Sequence, residues 1–413
     1  MDSWLIKLGK VWAAVRREGI FRGGKRVLAS IPMLFRRVEA GDVLFIASGV
    51  GDSARYRCHH VAESLRLQGF RVSVVPQTAF RLPRFSEKFS VFVFHRTSWT
   101  PAVETFVRRL EALKKTVVFD TDDLTFDAEL FRQTAAYAAM NTFERRQYRN
   151  GIGAEFLRSS AVSAVTTSTK FLAERLRVFG KPVFVVPNRL SIEDVRIAEA
   201  ILESSMKNQK SGMKDEKLKD IAAPSSIFHL PSSVPITIGY FSGSTGHDRD
   251  FATVAPVLKR LLDEFRQLRI FIGGPLSLPG ELEPYTSRID RISFVPRAEN
   301  FRNIAKVDIN IAPLEIGDPF CEAKSDLKFF EAGIVGVPTV AAATQTFQEA
   351  ISNGVDGFVA ENGNEWYERL AGLVRDVSLR KRLGEKARET ALQRYAVDRA
   401  TDGWYGNFLK KRS

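Results

Sequence analysis

Residues 320–342 read FCEAKSDLKFFEAGIVGVPTVAA, a stretch in which Glu322, Lys324, Lys328 and Glu331 crowd together ahead of a Gly-x-Pro turn and a small-residue strand. Lys324, Lys328 and Glu331 stand at intervals of four and three, so in a helix they would share one side. Ser325 is a natural cap for such a helix, and the N–H groups left open in its first turn favour an anion. Two cations and a helix start suit a diphosphate. A carboxylate farther along suits the vicinal diol of a ribose, so the set points to a nucleotide. The competing reading is an ordinary Lys328–Glu331 surface pair, worth about a few tenths of a kcal/mol.

Other polar loops follow apolar runs. SVFVF ends in His95-Arg96, a titratable group beside a fixed cation, suited to act as acid, base or hydrogen-bond donor. VVFDTDDLTFD brings Asp120, Asp122 and Asp123 together, and neighbouring carboxylates repel unless cations or hydrogen bonds compensate them. SGVGDSARYRCHH offers Gly49 and Gly51 for close backbone approach, with Arg55 and Arg57 adding charge; a plain strand-to-helix turn fits it as well. FSGSTGHDRDF supplies Ser242, Gly243, Ser244, His247 and Arg249, either a phosphate cradle or simple turn and cap chemistry.

The elements that must position these loops come in two series. DVLFIA, RVSVV, SVFVF, TVVFD, SAVTT and PVFVVPN are short β-rich runs separated by helical patterns, and ITIGYFSG, LRIFIGG, RISFVP, VDINIAPL, PTVAA and DGFVA repeat the arrangement. Strands alternating with helices predict two parallel sheets covered on both faces. Phe251, Val254, Leu258, Leu261, Phe265 and Leu268 follow the three-four spacing of one buried helix face. Residues 204–235 are rich in Lys, Ser and Pro with little apolar content, the composition of a linker. The end of the chain, from SLRKRLGEK onward, reads as helical. In open sheets of this kind ligands bind beyond the carboxyl ends of the strands.

With 413 residues, 44% hydrophobic and 26% charged, the chain fits two globular domains. Two distant cysteines, Cys58 and Cys321, suit neither a disulfide framework nor a zinc site, and they favour a reducing compartment. No apolar run approaches the roughly 18 residues of a membrane span, and no signal-peptide pattern opens the chain. A cytoplasmic protein is expected. The net charge of +13 favours a polyanionic partner. Nine Lys/Arg against three Asp/Glu fall in residues 1–40, where a helix would set Trp4, Leu5, Leu8, Trp12 and Val15 opposite Lys7, Lys10 and Arg17. Such a helix can lie on anionic lipid or dock on the protein's own surface.

The order of these motifs resembles the family 4 retaining glycosyltransferases of the GT-B fold, of the bacterial branch that builds surface polysaccharides, over most of residues 41–410. FCEAKSDLKFFEAGIVGVPTVAA is similar to the family's nucleotide-sugar element. STKFLAERLRVFGKPVFVVPN is similar to the end of its first domain, and AISNGVDGFVAENGNEWYERLAG onward to its C-terminal portion. The resemblance implies an α/β fold, GT-B, with two doubly wound Rossmann-like domains facing a central cleft. The expected divisions are a basic amphipathic segment 1–40, an acceptor domain 41–190, a linker 191–235, a nucleotide-sugar domain 236–395 and a C-terminal helix 396–413 that packs back on the first domain.

It further implies sugar transfer, with retention, from a nucleotide diphosphate sugar to a hydroxyl of a glycan or polyprenyl-linked acceptor in surface polysaccharide or glycoconjugate synthesis. Glu331 takes the place of the family's second glutamate, which holds the ribose. The first glutamate falls where this chain has Ala323, with Glu322 one place away. Lys324, Ser325, Lys328, Gly243, Ser244, His247 and Arg249 complete the nucleotide-sugar contacts. Asp120, Asp122, His95 and Lys324 are the candidate catalytic groups, and Gly49, Gly51 and Arg55 an acceptor-side or phosphate loop. No metal and no cofactor is expected, since the chain's own cations can stabilise the departing diphosphate. Expected partners are the nucleotide sugar, the acceptor and, through residues 1–39, an anionic membrane surface, with no nucleic acid. Two other classes compete: a catalytically silent binding module of the same fold, which Ala323 supports, and a magnesium-dependent phosphatase of the haloacid dehalogenase type, to whose Asp-x-Asp start VVFDTDDLTF is similar. The phosphatase reading lacks a later acidic pair.

Overall fold

A computed structural model describes residues 38–49, 51–79, 82–138, 140–142, 145, 148–215, 235–243, 247–399 and 404–410. Most of the expected basic amphipathic segment, residues 1–37, lies outside the described residues, as do 216–234 and Ser244.

Each apolar run forms or overlaps a strand, though RISFVP only begins in one, since β-structure there spans Ile289–Ile292. The first sheet comprises β1 (Val43–Ala47), β2 (Val72–Pro76), β3 (Val91–His95), β4 (Thr116–Thr121), β5 (Val162–Thr167) and β6 (Val183–Val185), in the order β2-β1-β3-β4-β5-β6. The second comprises β7 (Ile236–Phe241), β8 (Leu268–Gly273), β9 (Ile289–Ile292), β10 (Ile309–Ala312), β11 (Thr339–Ala342) and β12 (Phe358–Ala360), in the order β12-β11-β10-β7-β8-β9. Every strand pair is parallel. β1, β3, β4, β10 and β11 are buried along their whole length. Helices on both faces remove any solvent side, so these strands read as continuous apolar runs rather than alternating ones. The chain is α/β with two doubly wound sheets.

Helix boundaries follow local chemistry. Thr100 accepts from Val103 N and Pro101 opens the helix Pro101–Ala112, which buries Val103, Phe106, Val107 and Leu110 at three-four spacing. Thr169 caps Lys170–Arg177 in the same way. The single helix expected through Phe251–Leu268 is instead two, Asp248–Ala252 and Ala255–Glu264. Pro256 sits in the first turn of the second, where its missing N–H costs nothing, whereas inside a continuous helix it would break a hydrogen bond.

Two compact units result. Among the described residues, one contains those between 38 and 189, 322–325 and 404–410; the other contains those between 190 and 321 and 326–399. Of the expected linker 191–235, residues 216–234 lie outside the described residues, and the part Ile192–Asp215 is a helix rather than an unstructured connection. Its start is a reciprocal cap: Ser191 N donates to Asp194 Oδ2 and Asp194 N to Ser191 Oγ, both at 3.0 Å. A polar composition does not prevent a helix where a cap and helix-forming residues are present. The C-terminal helix Trp404–Lys410 groups with the first unit and buries Tyr405 and Leu409 in the core under β1 and β3. Tyr405 meets Phe45 edge-on at 5.6 Å, and Trp404 stacks on Phe184 at 4.4 Å. Burying side chains of this size stabilises by roughly 1.5–3 kcal/mol each.

Candidate functional site

In a doubly wound sheet the place for a ligand is where the strand order reverses. In the first unit this lies between β1 and β3, and the loops there carry Ser53, His95 and Arg96. His95, the last residue of β3, is paired in register with Asp120 of β4. Arg57 comes from the helical segment after β1 and is fully buried, with Asp120. The guanidinium meets the carboxylate with two bonds, Nε to Oδ1 at 3.2 Å and Nη2 to Oδ2 at 2.6 Å. Its Nη1 donates to the Val186 carbonyl and, at 3.2 Å, to Asn188 Oδ1. Asp120 also accepts from His95 Nδ1 at 2.7 Å and Thr166 Oγ1 at 2.7 Å. Since the one Thr166 proton goes to Asp120, Tyr405 must donate to Thr166 in their 2.8 Å contact. Burial opposes the charge on Asp120, but Arg57 and the His95 hydrogen bond outweigh it and hold the carboxyl far below the usual carboxylate range.

A second carboxylate continues the network toward solvent. Ser53 Oγ contacts His95 Nε2 at 2.8 Å and donates to Asp122 Oδ2 at 2.7 Å. Arg96 donates to Asp122 Oδ1 at 3.4 Å and lies 3.8 Å from Asp123. Burial again opposes the charge, and Arg96, His95 and Arg57 overcome it, so the Asp122 carboxyl is also lowered. Both His95 ring nitrogens are thus engaged, Nδ1 with Asp120 and Nε2 with the Ser53 hydroxyl that donates to Asp122. The ring is therefore held between Ser53 and Asp120 rather than offered to a ligand, and His95 itself is buried. The outer groups are Asp122, 14% exposed, and Arg96, 23% exposed. Arg96 has a φ of 45°, a left-handed conformation uncommon in a side-chain-bearing residue, and the structure holds it beside the two outer aspartates. What this arrangement can do is bind a hydroxyl between a fixed carboxylate and a fixed cation.

Asp120 is not available as a nucleophile or metal ligand, because Arg57, His95 and Thr166 occupy both of its oxygens. Among the described residues no group of three or more His, Cys, Asp or Glu is placed to hold a metal ion. Asp123 is the N-cap of the turn Leu124–Phe126 and accepts from Leu124 N at 2.8 Å. Arg55 pairs with Asp52 at 2.7 Å on the surface, and a Cβ at Gly49 or Gly51 would meet nothing within 4 Å, so no protein contact demands glycine there.

In the second unit the order reverses between β7 and β10. The loop after β7 is anchored by Ser242 N donating to the Gly273 carbonyl at 2.8 Å. Gly274, at φ 95°, is required beside it, since a Cβ would lie 2.0 Å from the Ser242 oxygen. Beyond this turn His247 Nδ1 contacts Asp250 Oδ2 at 2.8 Å, and Cys321 Sγ donates to Asp250 Oδ1 at 3.1 Å. Burial works against the Asp250 charge, but His247 and Cys321 keep its carboxyl lowered; burial and that carboxylate push the Cys321 thiol up. Lys328 Nζ lies 5.6 Å above the buried Tyr240 ring, and its charge also favours ionised Asp250. Arg249, 67% exposed, bridges to Glu315 at 2.6 Å. Gly243 is exposed in the same loop.

The opening stretch differs from its helical projection. The helix is Leu327–Ile334, with Asp326 at its N-cap and no side-chain cap bond. Ser325 does not cap it; its Oγ accepts from Asn188 Nδ2 at 3.0 Å, and residues 322–325 group with the first unit. Glu322 and Lys324 therefore precede the helix, and only Lys328 and Glu331 lie on it. Asp326 takes the cap position with its carboxyl turned to the Tyr395 hydroxyl, and burial raises its pKa. Glu331 reaches a partner that the surface-pair reading did not include. Its Oε1 accepts from Arg297 Nη1 at 2.8 Å, and Arg297 in turn grips Asp194, Nε to Oδ1 at 2.5 Å and Nη2 to Oδ2 at 3.0 Å. Ser53, Thr166, Asn188, Asp194, Asp250, Arg297 and Tyr405 are among the members of these clusters that sequence reasoning missed. Single Ser, Thr or Arg residues carry no spacing signal, though Ser191 and Asp194 do form a readable cap pattern.

Residues 252–403 match a family described as glycosyl transferase-like. The matched span takes in Arg297, Lys328 and Glu331. No curated protein sequence matches the chain. Solved structures with the same fold include HepE from Anabaena in complex with UDP, at 13% identity and TM-score 0.55, covering 90% of this chain and 100% of that one. Sucrose-phosphate synthase from Thermosynechococcus elongatus matches at 14% identity and TM-score 0.55, covering 90% and 100%. A glycosyltransferase from Rickettsia africae matches at 12% identity and TM-score 0.53, covering 90% and 99%. At these identities the likeness shows the fold, which is of the GT-B type.

Proposed function

We propose that this protein is a glycosyltransferase that moves a sugar from a nucleotide diphosphate sugar to a hydroxyl of a glycan or lipid-linked acceptor, with retention, in surface polysaccharide or glycoconjugate synthesis. The observation that carries it is the glycosyl transferase-like match over residues 252–403, which contains the Lys328–Glu331 helix. In this reading Glu331 accepts hydrogen bonds from the ribose hydroxyls. Lys328, Lys324 and Arg249 neutralise the diphosphate, where negative charge grows as the glycosidic bond breaks. Arg249 exchanges its exposed Glu315 partner for phosphate at small cost, because such pairs are weak.

Asp122 and Arg96 hold a sugar hydroxyl at the first unit's switch point, and Ser53, His95, Asp120 and Arg57 keep Asp122 in place. Catalysis of this kind draws on the chain's own cations without a metal. The work is placed at the cytoplasmic face of a membrane, with residues 1–39 as the contact; among the described residues no helix is long and apolar enough to cross one. The complex of HepE with UDP makes uridine the first donor base to try. The test is a thermal-shift and hydrolysis screen against UDP-, GDP-, dTDP- and ADP-sugars. Stabilisation by one donor class together with release of its nucleotide supports the reading. Binding without turnover, with or without acceptor, supports the silent module instead.

A further inference from the structure

Resting on the assignment of Glu331 to the ribose, we infer that Arg297 and Asp194 are positioning residues that set the Glu331 carboxylate in advance for a vicinal diol. The three side chains come from three helices: Asp194 from the start of Ile192–Asp215, Arg297 from the first position of Arg297–Ile304, and Glu331 from Leu327–Ile334. Asp194 is immobilised by its reciprocal bonds with Ser191 and is almost wholly buried, at 3% exposure. Its two oxygens take Nε and Nη2 of Arg297 as a fork, which fixes the plane of the guanidinium. The Phe301 ring, 4.8 Å from the guanidinium carbon, supports that plane from one side. The direction of Nη1 is then decided, and with it the position of Glu331 Oε1 at 2.8 Å. Burial falls along the chain of contacts, so that Glu331, at 17%, is more open than Asp194.

Charge selects what such a group can hold. A carboxylate is an acceptor and not a donor, so it favours hydroxyl donors over phosphate oxygens. A free glutamate must lose the rotation of several bonds when it binds, and one fixed beforehand loses less, so preorganisation appears as affinity. The start of the helix Ile192–Asp215 thereby contributes to donor recognition through Arg297, without touching the ligand.

The test compares, by calorimetry, whichever of uridine, guanosine or adenosine diphosphate binds best with its 2′,3′-dideoxy form. Wild-type protein is expected to prefer the diol form by about 10- to 100-fold, the range for hydrogen bonds to a charged acceptor. Glu331→Gln and Arg297→Met should each cut that preference to about threefold or less while binding the dideoxy form as wild type does. Asp194→Asn, which loosens the fork without touching Glu331, should cut it partly. The Arg297→Met, Glu331→Gln double variant should lose no more than either single one. A purely structural Arg297 would weaken both ligands equally or neither, so a wild-type preference retained in Arg297→Met and Asp194→Asn overturns the inference. Wild-type protein that binds none of the three diphosphates overturns the nucleotide-sugar reading, and this inference with it.

Discussion

Asp120 and Glu331 are both acidic residues paired with an arginine, yet they sit in opposite regimes. Asp120 is 1% exposed and takes hydrogen bonds from Arg57, His95 and Thr166. Glu331 is 17% exposed and accepts a guanidinium N–H of Arg297 through Oε1. In the first unit charge has been taken out of water and compensated entirely by protein, so the network acts as a rigid support. In the second, Lys328, Arg249 and Glu331 keep a share of solvent and can trade contacts with a ligand. An ionic cluster near a switch point is therefore not in itself a binding site; what separates support from site is which groups remain reachable. Asp122, at 14%, and its neighbour Asp123, at 20%, are the carboxylates of the first network that reach that boundary.

The strongest way to break this contrast is Arg57→Met. It strands a buried carboxylate, and removing one partner of a buried pair costs about 3–5 kcal/mol. A denaturant midpoint close to wild type would show that Asp120 is not held by Arg57. Next, Asp122→Asn keeps the shape but weakens the grip on a hydroxyl, so kcat should fall about 100-fold with nucleotide affinity unchanged; an equal loss of nucleotide affinity would move Asp122 into the donor site.

A third test is acid titration of stability. The Asp120 and Asp122 carboxyls are lowered in the folded protein, so their contribution is complete above the unfolded value near 4 and is lost as pH falls through that region toward the folded values. Asp120→Asn should flatten this acid-side slope. The smallest effect is expected for Arg249→Ala. Its pair with Glu315 is exposed, and melting should indicate a change of no more than about 1 kcal/mol.

The strands were legible because each is a short apolar run bounded by turns, and a sheet buried on both faces leaves that mark in the text. His95, Asp120 and Asp122 were legible for the same reason, since they stand at strand ends. Boundaries set by capping were less so. Ser325 looked like a helix cap, but its hydroxyl is used by Asn188, distant in sequence, and Asp326 occupies the cap position. The stretch after Ser191 reads as linker from its polar composition, yet Ser191 and Asp194 cap a helix there and Ala198 is buried.

By itself, then, the sequence determined two parallel α/β sheets, the loops that end their strands, and the Lys328–Glu331 element, because all of these are local patterns of hydrophobicity and spacing. Tertiary structure decided which charges are spent and which are available. Arg57 finds Asp120, Asp194 directs Arg297 onto Glu331, and Tyr405 reaches Thr166 from the far end of the chain. Such choices depend on burial and distance between segments far apart in sequence, and neither quantity is encoded at any one position.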